Sequence, residues 1–141
     1  MVTNDDNESI IEYSEDIATT ERPDPLPVGE YIADIREAKK KSGPKGAYAS
    51  IQYFISADQY PADYTDGNPD GTTLSGYGFS LEDNARARFA VRQYFENVGL
   101  PAPGKRLDLT VLVGQQVKLG VEHEPYNGAM QPRIRSVSRA T

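Results

Sequence analysis

A chain of 141 residues with 38% hydrophobic and 26% charged side chains has length for one domain with one modest core. It has no cysteine and no apolar run near about 18 residues, which excludes a disulfide framework, a thiolate metal site and a transmembrane helix. The net charge of −6 is unevenly placed: Asp5, Asp6, Glu8, Glu12, Glu15, Asp16, Glu21 and Asp24 against Arg22 give residues 1–25 a net −7, leaving +1 for the rest.

The opening MVTNDDNESI carries acids where a secretory signal carries Lys or Arg, so no such leader is expected. Residues 1–25 are polar and end in ERPDPLP, whose prolines oppose regular structure, which predicts a disordered acidic tail ahead of a domain over 26–141. Within the tail, Ile10, Ile11, Tyr13 and Ile17 are spaced for a short amphipathic helix against a partner. From Val28 the hydrophobic period becomes two: Tyr31, Ala33 and Ile35 predict a strand with one buried face. Gly43-Pro44 and Gly46 break it, and AYASIQYFISAD resumes as a second strand with Ile51, Tyr53 and Ile55 on one side and Phe54 on the other.

DQYPADYTDGNPDG (58–71) reads as a long turn-rich loop. TTLSGYGFSL (72–81) is a third strand, with Tyr77, Phe79 and Leu81 placed on one face by strict alternation. The period then becomes helical from about Glu82 to Asn97, opened by a capping box of Ser80 and Asp83. Ala87, Val91, Tyr94, Phe95 and Val98 form its buried stripe, and Gly99 and Pro101 end it. LDLTVLVG holds a short helical turn. Val117, Leu119 and Val121 alternate as a fourth strand, Tyr126-Asn127-Gly128 turns the chain, and PRIRSVSR is the fifth. Five strands with a helix between the third and fourth is the order of the OB-type Greek-key barrel, whose nucleic-acid face lies on its middle strands and its 1–2 and 4–5 loops. A small five-stranded sandwich with one helix shares that order.

Three segments, LPVGEYIADIREAKKKSG, GFSLEDNARARFAVRQYFENVGLPAP and LVGQQVKLGVEHEPYNGAMQPRIRSV, carry a resemblance. Over about residues 26–139 the chain resembles a family of small phage-encoded OB-fold single-stranded-DNA-binding proteins of replication and recombination modules. The long 58–71 loop and the N-terminal position of the acidic tail depart from it. The resemblance implies a location in the cytoplasm of a host cell.

Candidate binding residues fall into three groups. Arg36, Lys39, Lys40, Lys41 and Lys45 against Glu37 give the first hairpin a local net of +4. Mobile cations of this kind meet backbone phosphates and release counterions, with a salt slope of roughly −0.7 per contact for single strands. The bland equivalent is a solvated hairpin whose lysines discourage edge pairing. Tyr48, Phe54, Tyr77 and Tyr126 are candidate stacking platforms, each worth about 1–3 kcal/mol per base. Arg133 and Arg135 flank Ile134, so they share a face of the fifth strand, as an extension of the groove or as solvated cations.

Asp66-Gly67-Asn68-Pro69-Asp70-Gly71 matches the first half of a calcium loop, but position 12 is Tyr77 where the cage needs Glu, so a plain turn is expected and no metal or cofactor is assigned. His123 is the sole histidine, and there is no HExxH, P-loop, GxSxG or cysteine nucleophile, so an enzyme is not expected. The expected function is sequence-independent single-stranded-DNA binding in phage replication or recombination, with residues 1–25 available to replication or recombination proteins and no membrane partner. The alternatives are a virion structural or decoration domain, an adaptor working through the acidic tail, and a DNA mimic.

Overall fold

A computed structural model of the chain describes residues 9–140; Asp5, Asp6 and Glu8 of the predicted tail lie outside the described residues. The elements follow the expected order: β1 (Gly29–Gly43), β2 (Gly46–Ile55), β3 (Thr72–Ser80), α1 (Ala85–Asn97), β4 (Gln116–Tyr126) and β5 (Ala129–Arg139). The strands form one antiparallel sheet of order β3-β2-β1-β4-β5. Because every neighbour reverses direction, the two edge strands β3 and β5 both run parallel to β1.

Among the described residues no hydrogen-bonded ladder joins β3 to β5, so the sheet is not closed into the expected barrel by backbone pairing. The edges meet instead through a side chain: Ile134 of β5 lies against Gly76 of β3, where a Cβ would fall 2.9 Å from Ile134 Cδ1. α1 packs against both edge strands. Phe79 of β3 meets Tyr94 and Phe95 of α1 at ring separations of 5.1 and 6.4 Å.

The inward face follows the alternation of the sequence. Tyr31, Ala33 and Ile35 of β1, Ala49, Ile51, Tyr53 and Ile55 of β2, and Val117, Leu119 and Val121 of β4 are all buried. Ala87 and Phe95 of the helix, Val98 at its C-cap and Leu112 join them, each large apolar side chain contributing roughly 1.5–3 kcal/mol by leaving water. α1 begins at Ala85, later than the capping box implies, because Asn84 is the N-cap: its Oδ1 accepts the Ala87 N–H at 2.9 Å. Ser80 Oγ is occupied by the Glu82 N–H at 3.1 Å. Gly99, at φ +85°, turns the chain at the other end and lets the Leu100 N–H reach Phe95 O at 2.9 Å.

Three β-bulges interrupt the alternation. Arg36, Gly78 and Arg135 are the extra residues, lying between Ile35 and Glu37, Tyr77 and Phe79, and Ile134 and Ser136. Each reverses the inward–outward phase of the residues after it. The second overturns the expectation that Tyr77 and Phe79 share a face: Phe79 pairs with buried Ala49, whereas Tyr77 pairs with outward Ser50 and is 66% exposed.

Residues 9–24 are exposed throughout, with one 3-10 turn at Ile17–Thr19 where an amphipathic helix was expected. The chain enters the core at Leu26, whose carbonyl accepts a 2.7 Å hydrogen bond from His123 Nε2. The sole histidine is therefore a clamp between the entering chain and β4. Tyr64 donates to Asp24 O at 3.0 Å, and Asp66 Oδ2 accepts the Asp24 N–H at 2.6 Å. Tyr60 and Tyr64 meet edge to face at 5.3 Å, and Asn68 Oδ1 accepts the Asp70 N–H at 2.8 Å. Asp66 and Asn68, two of the three side chains that suggest a calcium loop, thus accept hydrogen bonds from backbone amides.

Between β2 and α1, Tyr53 and Tyr94 share a 2.6 Å hydrogen bond between their hydroxyls. Burial pushes Tyr94 up from 10.0 to about 12, and pushes Tyr53 up further, with the Tyr94 neighbour adding to the shift. The unfolded chain ionises these phenols first, so their contribution is whole below pH 10 and is lost as pH rises through about 12. Denaturant midpoints measured upward from about pH 9 should therefore fall, and the Tyr53→Phe/Tyr94→Phe double variant should fall more shallowly.

Candidate nucleic-acid interface

Register assigns each candidate residue to a face. On the outward side of β2 stand Tyr48, Ser50, Gln52 and Phe54, paired across β1 with Lys41, Lys39, Glu37 and Asp34. Across β3 the same row meets Ser80, Tyr77, Ser75 and Thr73. Tyr48 and Tyr77 stack at 5.3 Å between centroids and 24° between planes. Two β-branched or aliphatic residues there would have extended the sheet equally well; a stacked, half-exposed tyrosine pair leaves π-surface in water.

At the hairpin end, Pro44 and Lys45 form the connection between Gly43 and Gly46, the latter at φ +109°. A cleft of about 440 Å³ opens there, lined by Gly43, Pro44, Lys45, Gly46, Ala47, Tyr48, Tyr77 and Ser80. On the far side of Tyr77 a second cleft of about 320 Å³ is lined by Gly78, Ser80, Asn84 and Arg86 among others. Arg86, in the first turn of α1, is a further cation beside Tyr77 that the sequence pattern does not single out; its only sign is its place two residues after Asn84, which the expected capping box of Ser80 and Asp83 puts inside the helix.

The lysines do not act as one patch. Lys39 is bonded to Glu37 at 2.6 Å. Lys40 pairs with inward Ala49 and lines a groove with Leu81, Arg106 and Leu107 on the other side. Lys41 shares the outward face with Tyr48, and Lys45 sits in the turn. The Glu82 carboxylate lies against Gly46, where a Cβ would come within 2.8 Å of it. Lys39, Lys40 and Lys41 stand on paired strand, so the positive charge rides on a stiff two-stranded arm whose turn is only Pro44-Lys45.

Phe54 faces outward as expected, but it is sheathed. The Arg36 guanidinium carbon stands 4.0 Å from its ring centroid. Gly71, at φ +101°, lies at the ring tip, where a Cβ would fall 2.6 Å from Phe54 Cε1 and 2.8 Å from Ile55 O.

The other candidates sit apart. Because Gly29–Asp34 pair with Val121–Gln116, β4 carries Tyr126 past the start of β1, whereas the lysine arm extends past its middle. Tyr126 is 61% exposed at a tight turn in which Asn127 (φ 50°) and Gly128 (φ 79°) both take the left-handed conformation. Arg133 is bonded to Glu122 at 3.3 Å and approaches Glu124 at 3.9 Å. The Arg135 guanidinium covers Gly120 on the outward face, its Nη2 3.0 Å from where a Cβ would stand. The structure thus puts Arg36, Lys39, Lys41, Tyr48, Phe54 and Tyr77 on one outward face, with Lys45 in the turn beside the tyrosines and the Arg36–Phe54 pair six residues along β2 from Tyr48, and leaves Lys40, Tyr126, Arg133 and Arg135 outside that group.

No protein-family model and no curated protein matches this chain.

Gly71→Ala tests the sheath around Phe54. A Cβ there meets ring and backbone together at a left-handed φ, so the variant should lose on the order of 1–3 kcal/mol of stability in denaturant melts. Tyr77→Ala, which removes an exposed ring, should stay within about 0.5 kcal/mol.

Proposed function

We propose that the chain binds single-stranded DNA without regard to sequence, on the outward face of β1, β2 and β3, as an OB-type barrel whose β3–β5 seam is closed by side chains. The observation that carries this reading is the stacked Tyr48–Tyr77 pair on the face that also holds Phe54, Arg36 and Lys41. Aromatic faces accept any base, and adjacent cations follow the backbone. The strand order, the parallel run of β3 and β5 and the Gly76–Ile134 contact support the barrel. The resemblance to phage single-stranded-DNA-binding proteins supports a role in replication or recombination.

Anisotropy titration with labelled oligo-dT, repeated with duplex and over a salt series, tests the reading. Single strands should bind more tightly than duplex, since stacking needs unpaired bases. Lys41→Ala and Lys45→Ala should each weaken binding of all sequences alike and make the salt slope shallower by roughly 0.7 per lost contact. Lys40→Ala, on the other face, should change neither. Equal effects from all three substitutions would move the phosphate path off this face.

A second reading, an adaptor working through its N-terminal segment, draws on Ile10, Ile11, Tyr13 and Ile17, which are 60–71% exposed among acids. The two readings join if the acidic segment lies over the basic arm when DNA is absent and is freed for replication or recombination proteins when DNA binds. Electrostatic attraction of this kind is screened beyond about 8–10 Å. Removing residues 1–22 keeps the Asp24 bonds to Tyr64 and Asp66, and should tighten DNA binding most at low salt. Isotherms that coincide across the salt series would reduce the segment to a solubilising tail.

A further inference from the structure

Arg36 is the extra residue of the bulge in β1. Ile35 pairs with Tyr53 and Glu37 with Gln52, so Arg36 has no partner on β2. On its other side the pairing with β4 has already ended at Asp34–Gln116. The Ile35 N–H and carbonyl are taken by Gln115 O at 2.9 Å and the Gly114 N–H at 2.8 Å, which holds the chain immediately before the bulge. The backbone at Arg36 is therefore set by its neighbours, and its side chain goes outward onto Phe54.

At 4.0 Å from the ring centroid the guanidinium is in van der Waals contact with one face of Phe54. Gly71 stands at the tip of the same ring and closes that edge of it. Arg36 is exposed, and among the described residues it forms no ion pair. The exposed guanidinium thus covers one face of the half-buried ring.

Resting on the proposed DNA-binding reading, we infer that Arg36 itself is a base-stacking platform, and that Phe54 is a positioning residue that holds the guanidinium plane for it. A guanidinium is planar and weakly hydrated, so it stacks against a nucleobase where a lysine ammonium does not. The order outward is Phe54, Arg36, base. This changes the assignment of both residues: Arg36 reads base planes as well as phosphate charge, and Phe54 touches no DNA.

The test compares oligo-dT with an oligomer of equal length whose central nucleotides are abasic, both titrated against the full chain. The wild-type protein should prefer oligo-dT by at least about tenfold. Arg36→Lys keeps the charge, so its salt slope should match wild type while its preference for bases shrinks. Phe54→Leu keeps apolar volume without an aromatic face and should reproduce that loss with an unchanged salt slope and an intact melt. Tyr77→Ala should lower oligo-dT affinity by a separate factor that multiplies with that of Arg36→Lys. An Arg36→Lys protein with undiminished preference for bases would overturn the inference, as would tighter oligo-dT binding by Arg36→Ala, which would mean that the guanidinium merely covers Phe54. Wild-type protein that binds neither oligomer at low salt would overturn the DNA-binding reading itself, and this inference with it.

Discussion

β1 is shared between the two halves of the sheet, and the outward face depends on how that sharing is arranged. Its first half, Gly29–Asp34, pairs with β4, and its second half, Asp34–Gly43, pairs with β2. The handover occurs at Arg36, where one unpaired residue is inserted just as Gln115 and Gly114 close on Ile35. A bulge adds local twist and reverses the phase of the strand beyond it. Before it the odd residues Tyr31, Ala33 and Ile35 face inward; after it Ala38 and Lys40 take that side, while Lys39 and Lys41 face out beside Ser50 and Tyr48. Without the insertion the arm would present Lys40 to the tyrosines and turn Lys39 and Lys41 toward the core side.

The same device recurs at the edges. Gly78 reverses β3 so that Phe79 packs on α1 while Tyr77, two residues earlier, reaches out to Tyr48. Strict alternation would have sent both rings to one side, crowding the core or stripping the face of its stacked pair. Glycine is required there because a Cβ would stand 2.8 Å from Ile51 Cγ1 and 3.2 Å from Ala49 O. In β5 the insertion is Arg135, which swings its guanidinium over Gly120. Two of the three inserted residues are thus arginines released onto the outward face, each lying on a surface, ring or glycine, that accepts a flat cation.

Element order, the inward stripes of β1, β2 and β4, the helical stripe and the Asn-Gly turn were all legible, because each is a local pattern: a period of two, a period of 3.6, or a pair that tolerates φ > 0. The faces of Tyr77 and Lys40 were not. A bulge changes the side of every later residue, yet its signature in β1 is an ordinary arginine between Ile35 and Glu37. The separation of Tyr126 and Arg133 from the lysine arm was equally hidden, since it follows from how far β4 slides along β1, a long-range register that no local pattern specifies. Phe54 shows a third kind of gap: its direction could be read from alternation, whereas its cover came from Arg36 across the sheet and Gly71 from a distant loop.

The charge arrangement bears on how a ligand would be held. Of the outward cations, Lys39 is bonded to Glu37 and Arg133 to Glu122, and Asp34 stands opposite Phe54. A polyanion meeting such a surface finds few cations outside ion pairs among the described residues: Lys41, Lys45 and Arg86 around the tyrosines, and Arg36 on Phe54 farther along β2. Counterion release scales with the phosphates neutralised, whereas stacking is a short-range contact set by exposed π-surface. On the proposed reading the balance therefore tilts from charge toward stacking, which suits a domain whose net charge outside the tail is only +1. It also gives the acidic segment a small target. On that reading a −7 tail would not need to cancel a broad basic field to compete with DNA; it would need only to occupy the neighbourhood of these few side chains.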